Sequence, residues 1–163
     1  MFFKLDEVSA EDGDQVIDLF NYYVAKSFAA YPESKVPSEF FQSLLSLTRG
    51  YPFLVARDQN GRVVGFGCLR PYSPISTFSQ AAEITNFVSS EHVGKGIGQM
   101  ILDRLLQDAK NMGIAIILAS ISSLNSQSIA FHKKNGFVEC GRFVGIGRKM
   151  GREFDVVWMQ RGV

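Results

Sequence analysis

The stretch HVGKGIGQ, from His92 to Gln99, sets glycines at 94, 96 and 98 directly in front of a long segment with helical apolar spacing. At the start of a helix the first amide N–H groups have no partner inside the helix, and the aligned peptide dipoles add partial positive charge. Glycines at alternate positions remove the Cβ atoms that would hold a ligand off the backbone, so successive amides can close around a phosphate. Lys95 would add a mobile charge at the rim. The same glycines also suit a tight turn that needs only positive φ and close helix packing, and alone they do not separate the two uses. A P-loop is disfavoured, because Gly94-Lys95 is followed by Gly96 rather than Ser or Thr. A dinucleotide fingerprint is disfavoured as well, since it belongs in the first strand-helix unit and this turn falls mid-chain.

The elements that must position this turn are readable from period and punctuation. Phe2 to Val8 alternates weakly as a first strand, and Ser9 caps a helix whose apolar residues are Val16, Ile17, Phe20, Tyr23 and Val24. After AAYPESKVP, a loop that could line a pocket, Ser38 caps a second helix with Phe40, Phe41, Leu44, Leu45 and Leu47 on its buried stripe. PFLVARDQNGRVVGFGCLR gives two strands around Asn60-Gly61, a pair suited to a tight hairpin. Ala82 to Ser89 is the strand leading into the glycines, and Ile97, Ile101, Leu102, Leu105, Leu106 and Ala109 mark the helix beyond them. Ile114 to Ser120 reads as a buried strand, followed by a short helix from near Asn125 to a left-handed stop at Asn135-Gly136. Phe137 to Phe143 and Phe154 to Gln160 close the chain as two strands separated by a loop, GIGRKMGR. The sum is a single α/β (α+β) domain over 1–163, with a mixed sheet of about seven strands and about four helices.

Bulk properties bound the partners. A chain of 163 residues, 46% hydrophobic and 20% charged, is long enough for a continuous core, and its formal charge of +1 supplies no global field for nucleic acid or an anionic membrane. No stretch approaches the roughly 18 apolar residues of a membrane span, and the N-terminus lacks a signal-like pattern, so a soluble, cytoplasmic protein is expected. Cys68 and Cys140 lie in strand-like apolar runs and read as reduced core residues. His92 and His132 have no ligand partners at a recognisable spacing, so no metal is expected.

Three blocks, EITNFVSSEHVGKGIGQMIL, SSLNSQSIAFHKKNGF and ECGRFVGIGRKMGREFDVVWMQR, together resemble the GNAT superfamily of acetyl-CoA-dependent N-acetyltransferases, and more closely its phosphinothricin acetyltransferase-like branch. The second block is the most specific, with Asn125, Ser128, His132 and Gly136-Phe137 at family spacings. The resemblance implies a splayed sheet holding acetyl-CoA, the acyl donor, with its pyrophosphate on the amides of Gly94, Lys95, Gly96, Ile97, Gly98 and Gln99. It also implies that Asn86, Phe87 and Val88 lend backbone groups to the pantetheine arm, and that Asn125 and Ser128 meet the arm or the adenosine side. A peptide-like ligand suits such an open strand edge.

Departures from the branch fall at the phosphate turn, where Val93 loses a side-chain contact but leaves the amide cradle, and at the positions that shape the acceptor pocket. Val93 replaces the usual Gln or Arg, Glu153 stands where a Trp is typical, and Phe78 where a Tyr is expected. The acceptor is therefore less defined than the donor.

Acetyl transfer needs a neutral amine, and a free α-amino group with a pKa of about 8 is mostly protonated at neutral pH. Glu83, in an otherwise uncharged run from Ala81 to Ser90, matches the branch's catalytic glutamate and is the expected base; a charge pair at a strand end is its structural alternative. His132 stands where many GNAT proteins place a tyrosine that protonates the departing thiolate, and a structural histidine is its alternative. The resemblance further implies that a backbone amide of the splayed strand, that of Val88, donates to the oxyanion. Asp155 and Trp158 are further candidates near the acceptor, and Arg142, Arg148, Lys149 and Arg152 read as a solvated basic face.

The resulting expectation is transfer of acetyl to the primary amine of a small amino acid or analogue, of the phosphinothricin or methionine sulfone kind. Alternatives are a protein or peptide amine acetyltransferase and a non-catalytic acyl-CoA-binding module. Dimerisation is common in the branch, and the apolar last strands could support a homodimer.

Overall fold

The computed structural model describes residues 2–163. Its strands are β1 (Lys4–Glu7), β2 (Phe53–Arg57), β3 (Val63–Pro71), β4 (Ala81–Val88), β5 (Ile116–Ser122), β6 (Val138–Lys149) and β7 (Arg152–Gly162). Its helices are α1 (Gly13–Lys26), α2 (Phe40–Leu47), α3 (Ile97–Asn111) and α4 (Ser126–Lys134). The seven strands form one sheet in the order β1-β2-β3-β4-β5-β7-β6. Every neighbouring pair is antiparallel except β4 and β5, which run parallel and stay in register only from Ala81 opposite Ile116 to Glu83 opposite Leu118.

β2 shows how the sheet divides the core. Phe53, Leu54, Val55 and Ala56 are all buried, as expected of an inner strand covered on both sides. Because side chains alternate along a strand, Phe53 and Val55 join Val16, Ile17 and Phe41 under α1 and α2, whereas Leu54 and Ala56 join Ile101, Leu102 and Leu105 of α3. α3 lies close against β3 because Gly65 and Gly67 have no side chains there; a Cβ at Gly67 would run into Ile101.

The β2–β3 hairpin forms as expected, with a local difference. Only Gly61 takes a positive φ, +80°, and the Asp58 carboxylate accepts the amides of Asn60 and Arg62 at 2.9 and 3.0 Å, so an aspartate turn closes the loop. At the first helix, Ser9 donates its amide to Asp12 at 2.8 Å across a 3-10 turn, Ala10–Asp12, and α1 starts only at Gly13. α2 starts at Phe40, preceded by a turn in which the Ser38 carbonyl accepts from Phe41.

The closing strands correct the sequence reading in three ways. GIGRKMGR is not a loop: β6 continues through Lys149, and the chain reverses over Met150 and Gly151, at φ 51° and 72°. Positive φ at both central residues gives the twist that a two-residue hairpin needs. Lys149 is buried rather than part of a solvated basic face, and Arg142 pairs with Asp155 and Glu139. Cys140 is exposed on β6, whereas Cys68 is buried, and burial pushes its thiol up to about 12. Among the described residues no helix is long and apolar enough to cross a membrane.

Candidate active site

The cleft opens where β4 and β5 part. In the antiparallel β3–β4 ladder, Tyr72 donates to the Ala81 carbonyl and Ser89 to the Val64 carbonyl, so odd-numbered residues of β4 turn their backbone groups toward β3. On the other side the Gln80 carbonyl accepts from Ala115 and Ile116, so even-numbered residues turn theirs toward β5. Beyond Glu83 the β5 pairing has ended, and the amides of Asn86 and Val88 therefore face the opening instead of another strand. The Tyr23 hydroxyl donates to the Val88 carbonyl, leaving the Val88 N–H as that residue's open backbone group. Phe87 has the opposite parity: its backbone faces β3, and it offers the cleft its ring, not the backbone groups expected of it.

The cleft has a volume of about 760 Å³, and of the residues that the resemblance assigns to catalysis and cofactor binding all but Lys95 line it: Glu83, Asn86, Phe87, Val88, Gly94, Gly96, Ile97, Gly98, Gln99, Asn125, Ser128 and His132. Lys95 is exposed outside that wall. Gly94 and Gly96 both take left-handed φ, 83° and 85°, and a Cβ at either would meet nothing within 4 Å. The turn is therefore open on the side where a ligand would approach, and its amides and the start of α3 form a concavity of the kind that binds anions. Asn86 donates to the Gly98 carbonyl at 3.0 Å, which ties β4 to the turn, while its Oδ1 is buried without a partner. The Gln99 Nε2 donates to Asp103 and Asn135, so the donor that Gln99 can offer a ligand is its backbone N–H at the start of α3. Asn125 caps α4 by accepting from the Ser128 amide at 3.2 Å.

A cradle of free amides, an orphaned acceptor on Asn86 and two free strand amides fit a ligand with phosphates at one end and an amide-bearing arm. Here Asn86, Val88, Gly94, Gly96, Gly98 and Gln99 would hold acetyl-CoA. His92 lines the same wall with its Nδ1 buried and unpartnered, its ring edge-on to Phe3 at 5.9 Å.

At the closed end of the splay, Glu83 stands opposite Arg70 in the β3–β4 register. Arg70 donates from Nε at 3.0 Å and Nη2 at 2.6 Å, both to Oε2 of Glu83, leaving Oε1 without a hydrogen bond among the described residues. Tyr31, from the loop after α1, shares a hydrogen bond with Ser120 at 3.1 Å and is close enough to feel the Glu83 charge. Burial raises the Tyr31 pKa first, with that charge adding to it and the Ser120 bond opposing it. The loop expected to line a pocket does so through Ala29, Ala30, Tyr31 and Pro32.

Arg70, Tyr31, Ser120 and Tyr23 were not singled out from the sequence. Arg70 alone had a usable signal, since the hairpin and the next strand, aligned in antiparallel register, set it opposite Glu83. The departing positions Phe78 and Glu153 lie outside the cleft wall, as do Asp155 and Trp158. Phe78 packs edge-on to Tyr72, and Asp155 accepts from Arg142 at 2.8 Å and from the Gly145 amide at 2.7 Å.

The comparisons agree with this geometry. The family model described as Acetyltransferase (GNAT) family matches residues 16–137. The chain is 29% identical over 159 residues to an L-methionine sulfoximine/L-methionine sulfone acetyltransferase of Pseudomonas paraeruginosa, covering 96% of this chain and 92% of that protein. A GNAT superfamily phosphinothricin acetyltransferase from Sinorhizobium meliloti, solved in complex with AcCoA, superposes with a TM-score of 0.94 at 28% identity, over 100% of this chain and 89% of that one. A ribosomal-protein-alanine N-acetyltransferase from Brucella melitensis gives a TM-score of 0.90 at 30% identity, over 98% and 99%. The family match, over a splayed mixed sheet with a glycine turn at its open end, places the chain among the acyltransferases. The chain belongs to the GNAT acetyltransferase family, whose acyl donor is acetyl-CoA.

His132 adds a constraint of its own. Its Nδ1 lies 2.7 Å from the Ser128 carbonyl, which can only accept, so Nδ1 carries the hydrogen and Nε2 of the neutral ring is an acceptor. Burial holds the imidazole below its ordinary pKa, with the Ser128 bond opposing. The unfolded chain takes up a proton near its ordinary pKa of 6.5 that the folded chain takes up only at lower pH. The stability contributed by the neutral ring is thus complete above that value and is lost as the pH falls through the folded pKa. Thermal melts should show Tm falling as the pH drops below about 6.5. His132→Gln should flatten that part of the profile; equal slopes for the two proteins would contradict the assignment.

Proposed function

We propose that this protein transfers acetyl from acetyl-CoA to the primary amine of a small amino acid or analogue, of the phosphinothricin or methionine sulfone kind. The observation that carries the reading is the Arg70–Glu83 pair at the closed end of the splay, with Oε1 of Glu83 free beside Tyr31. An amino acid presents an ammonium next to a carboxylate. Glu83 offers an acceptor for the first, and Nη1 of Arg70, which has no hydrogen bond among the described residues, offers a donor for the second. The Pseudomonas relative, named for acetylation of methionine sulfoximine and methionine sulfone, points the same way.

In this reading the bound ammonium gives a proton to Oε1 of Glu83, directly or through a water, and the neutral amine attacks the thioester carbon. The Val88 N–H meets the developing oxyanion. As the carbon–sulfur bond breaks, the nitrogen loses its second proton and the thiolate gains one. His132 enters this step as a hydrogen-bond acceptor through Nε2. To act as the acid it must first be protonated, which its burial opposes. The proton held by Glu83 leaves to solvent, so each turnover releases one proton.

A protein amine is the second reading, favoured by the likeness to the ribosomal-protein-alanine N-acetyltransferase. It requires an open groove for a peptide, and apolar Phe40, Leu44 and Leu47 on the same cleft are the residues that could form one.

The remaining proposal is a homodimer through β6, one of the two edge strands. Phe143, Val144 and Ile146 are exposed there, Val144 by 80%, where the β6–β7 register shifts between Phe143 and Gly147. Apolar side chains crowded on an unpaired edge are a liability unless covered.

In a thiol-release assay, wild type should acetylate free amino acids or methionine sulfone faster than a peptide. Glu83→Gln should lower kcat by about 10²- to 10⁴-fold with acetyl-CoA affinity retained. A Gln variant turning over at the wild-type rate would remove Glu83 as the base. Sedimentation should give a dimer that Val144→Asp converts to monomer, and a monomeric wild type would end the dimer proposal.

A further inference from the structure

Lys149 is 1% exposed and lies outside the cleft wall. Its Nζ donates to the backbone carbonyl of Ser27 at 2.7 Å and to that of Ala30 at 2.6 Å. Burial pushes its pKa down, opposed by the charge of Glu33. Taking an ammonium out of water is costly, and the cost is offset only while fixed acceptors meet it. Those acceptors belong to the segment leaving α1, and the residue after Ala30 is Tyr31.

The rest of the terminal hairpin grips the same segment. The Arg152 guanidinium lies 5.4 Å from the centre of the Phe28 ring. Phe154 meets Phe28 at 6.2 Å and stacks on Tyr31 at 5.8 Å with the rings nearly parallel. The two-residue turn at Met150-Gly151 sets Lys149 and Arg152 directly opposite each other, so the hairpin's charged handles act at one place.

We propose that Lys149 is a positioning residue for the acceptor end of the cleft: its ammonium fixes the Ser27–Ala30 backbone and thereby holds Tyr31 beside Glu83 and Ser120. The proposal rests on the acceptor reading above, because the place of Tyr31 affects turnover only if the amine is met there. A purely structural lysine would weaken the whole protein evenly. A positioning lysine affects one end of one site.

The test is Lys149→Met, which keeps the stem and removes the donors. Acceptor KM should rise about tenfold or more, since small misplacements near reacting groups are expensive. The acetyl-CoA dissociation constant, read by calorimetry, should stay within about twofold. Hydrogen exchange should show amides 28–32 losing protection while those of α3 and β5 keep theirs. The double variant with Tyr31→Ala should be no worse than Tyr31→Ala alone, because the two act through one contact. An unchanged acceptor KM, an equal loss of acetyl-CoA binding, or additive effects in the double variant would overturn the proposal. Should the Met variant not fold, Lys149→Arg is read by the same KM and exchange criteria. A wild type inactive on every amine would remove the acceptor reading, whereas unchanged protection at 28–32 would remove the hold of Lys149 on the loop.

Discussion

The structure depends on a failure of pairing: β4 and β5 run parallel for three residue pairs and then separate while each stays bonded to its outer neighbour. Backbone N–H groups away from water demand partners, so a strand edge opened inside a sheet is costly unless something else meets it. Here the Val88 carbonyl is met by Tyr23, and the amides of Asn86 and Val88 remain for a ligand. The same separation brings the glycine turn, which follows β4, to the open end, and α4, which follows β5, across from it. In the proposed reading the donor site, the acceptor site and the side chains Glu83 and His132 all take their places from that one divergence.

The two faces of the sheet have different duties. The α3 face is apolar and closely packed, with Gly65 and Gly67 letting Ile97 and Ile101 approach β3, so the turn at the start of α3 has a rigid mount. The α1–α2 face carries the Glu83–Arg70 pair and the Tyr31 hydroxyl, and the loop that supplies Tyr31 is held by side chains near the end of the chain. On the proposed reading a loop bears the acceptor end while regular elements bear the donor end. That arrangement suits a family in which one donor serves many acceptors.

Much of this was legible in the sequence because local signals carry it. The glycine turn, the Asn125 cap, the Gly136 stop and the hairpin at Gly61 each rest on a few adjacent residues, and each forms close to where it was expected. What was missed is non-local. The Arg70–Glu83 pairing depends on strand register, the Tyr31–Ser120 contact joins residues 89 positions apart, and Lys149 reaches carbonyls about 120 positions away. Lys149 was also misread for a local reason: a basic, glycine-rich string resembles a solvated loop, and only a two-residue reversal at Met150-Gly151 turns it into buried strand. The resemblance implies a backbone role for Phe87 beside Asn86 and Val88, and only the pairing of β4 with β3 reveals that its parity turns those groups away from the cleft.

The central claim is that the splay between β4 and β5, together with the glycine turn, is the seat of acetyl-CoA. Amide NMR spectra recorded during titration with acetyl-CoA test it most directly. The account predicts that the amides of Asn86, Val88, Gly94, Gly96, Gly98 and Gln99 shift together and saturate at one ligand per chain, while those of β1 and β2 stay in place. Saturable binding that leaves Asn86, Val88 and the three glycines unmoved and shifts another face of the sheet would contradict it.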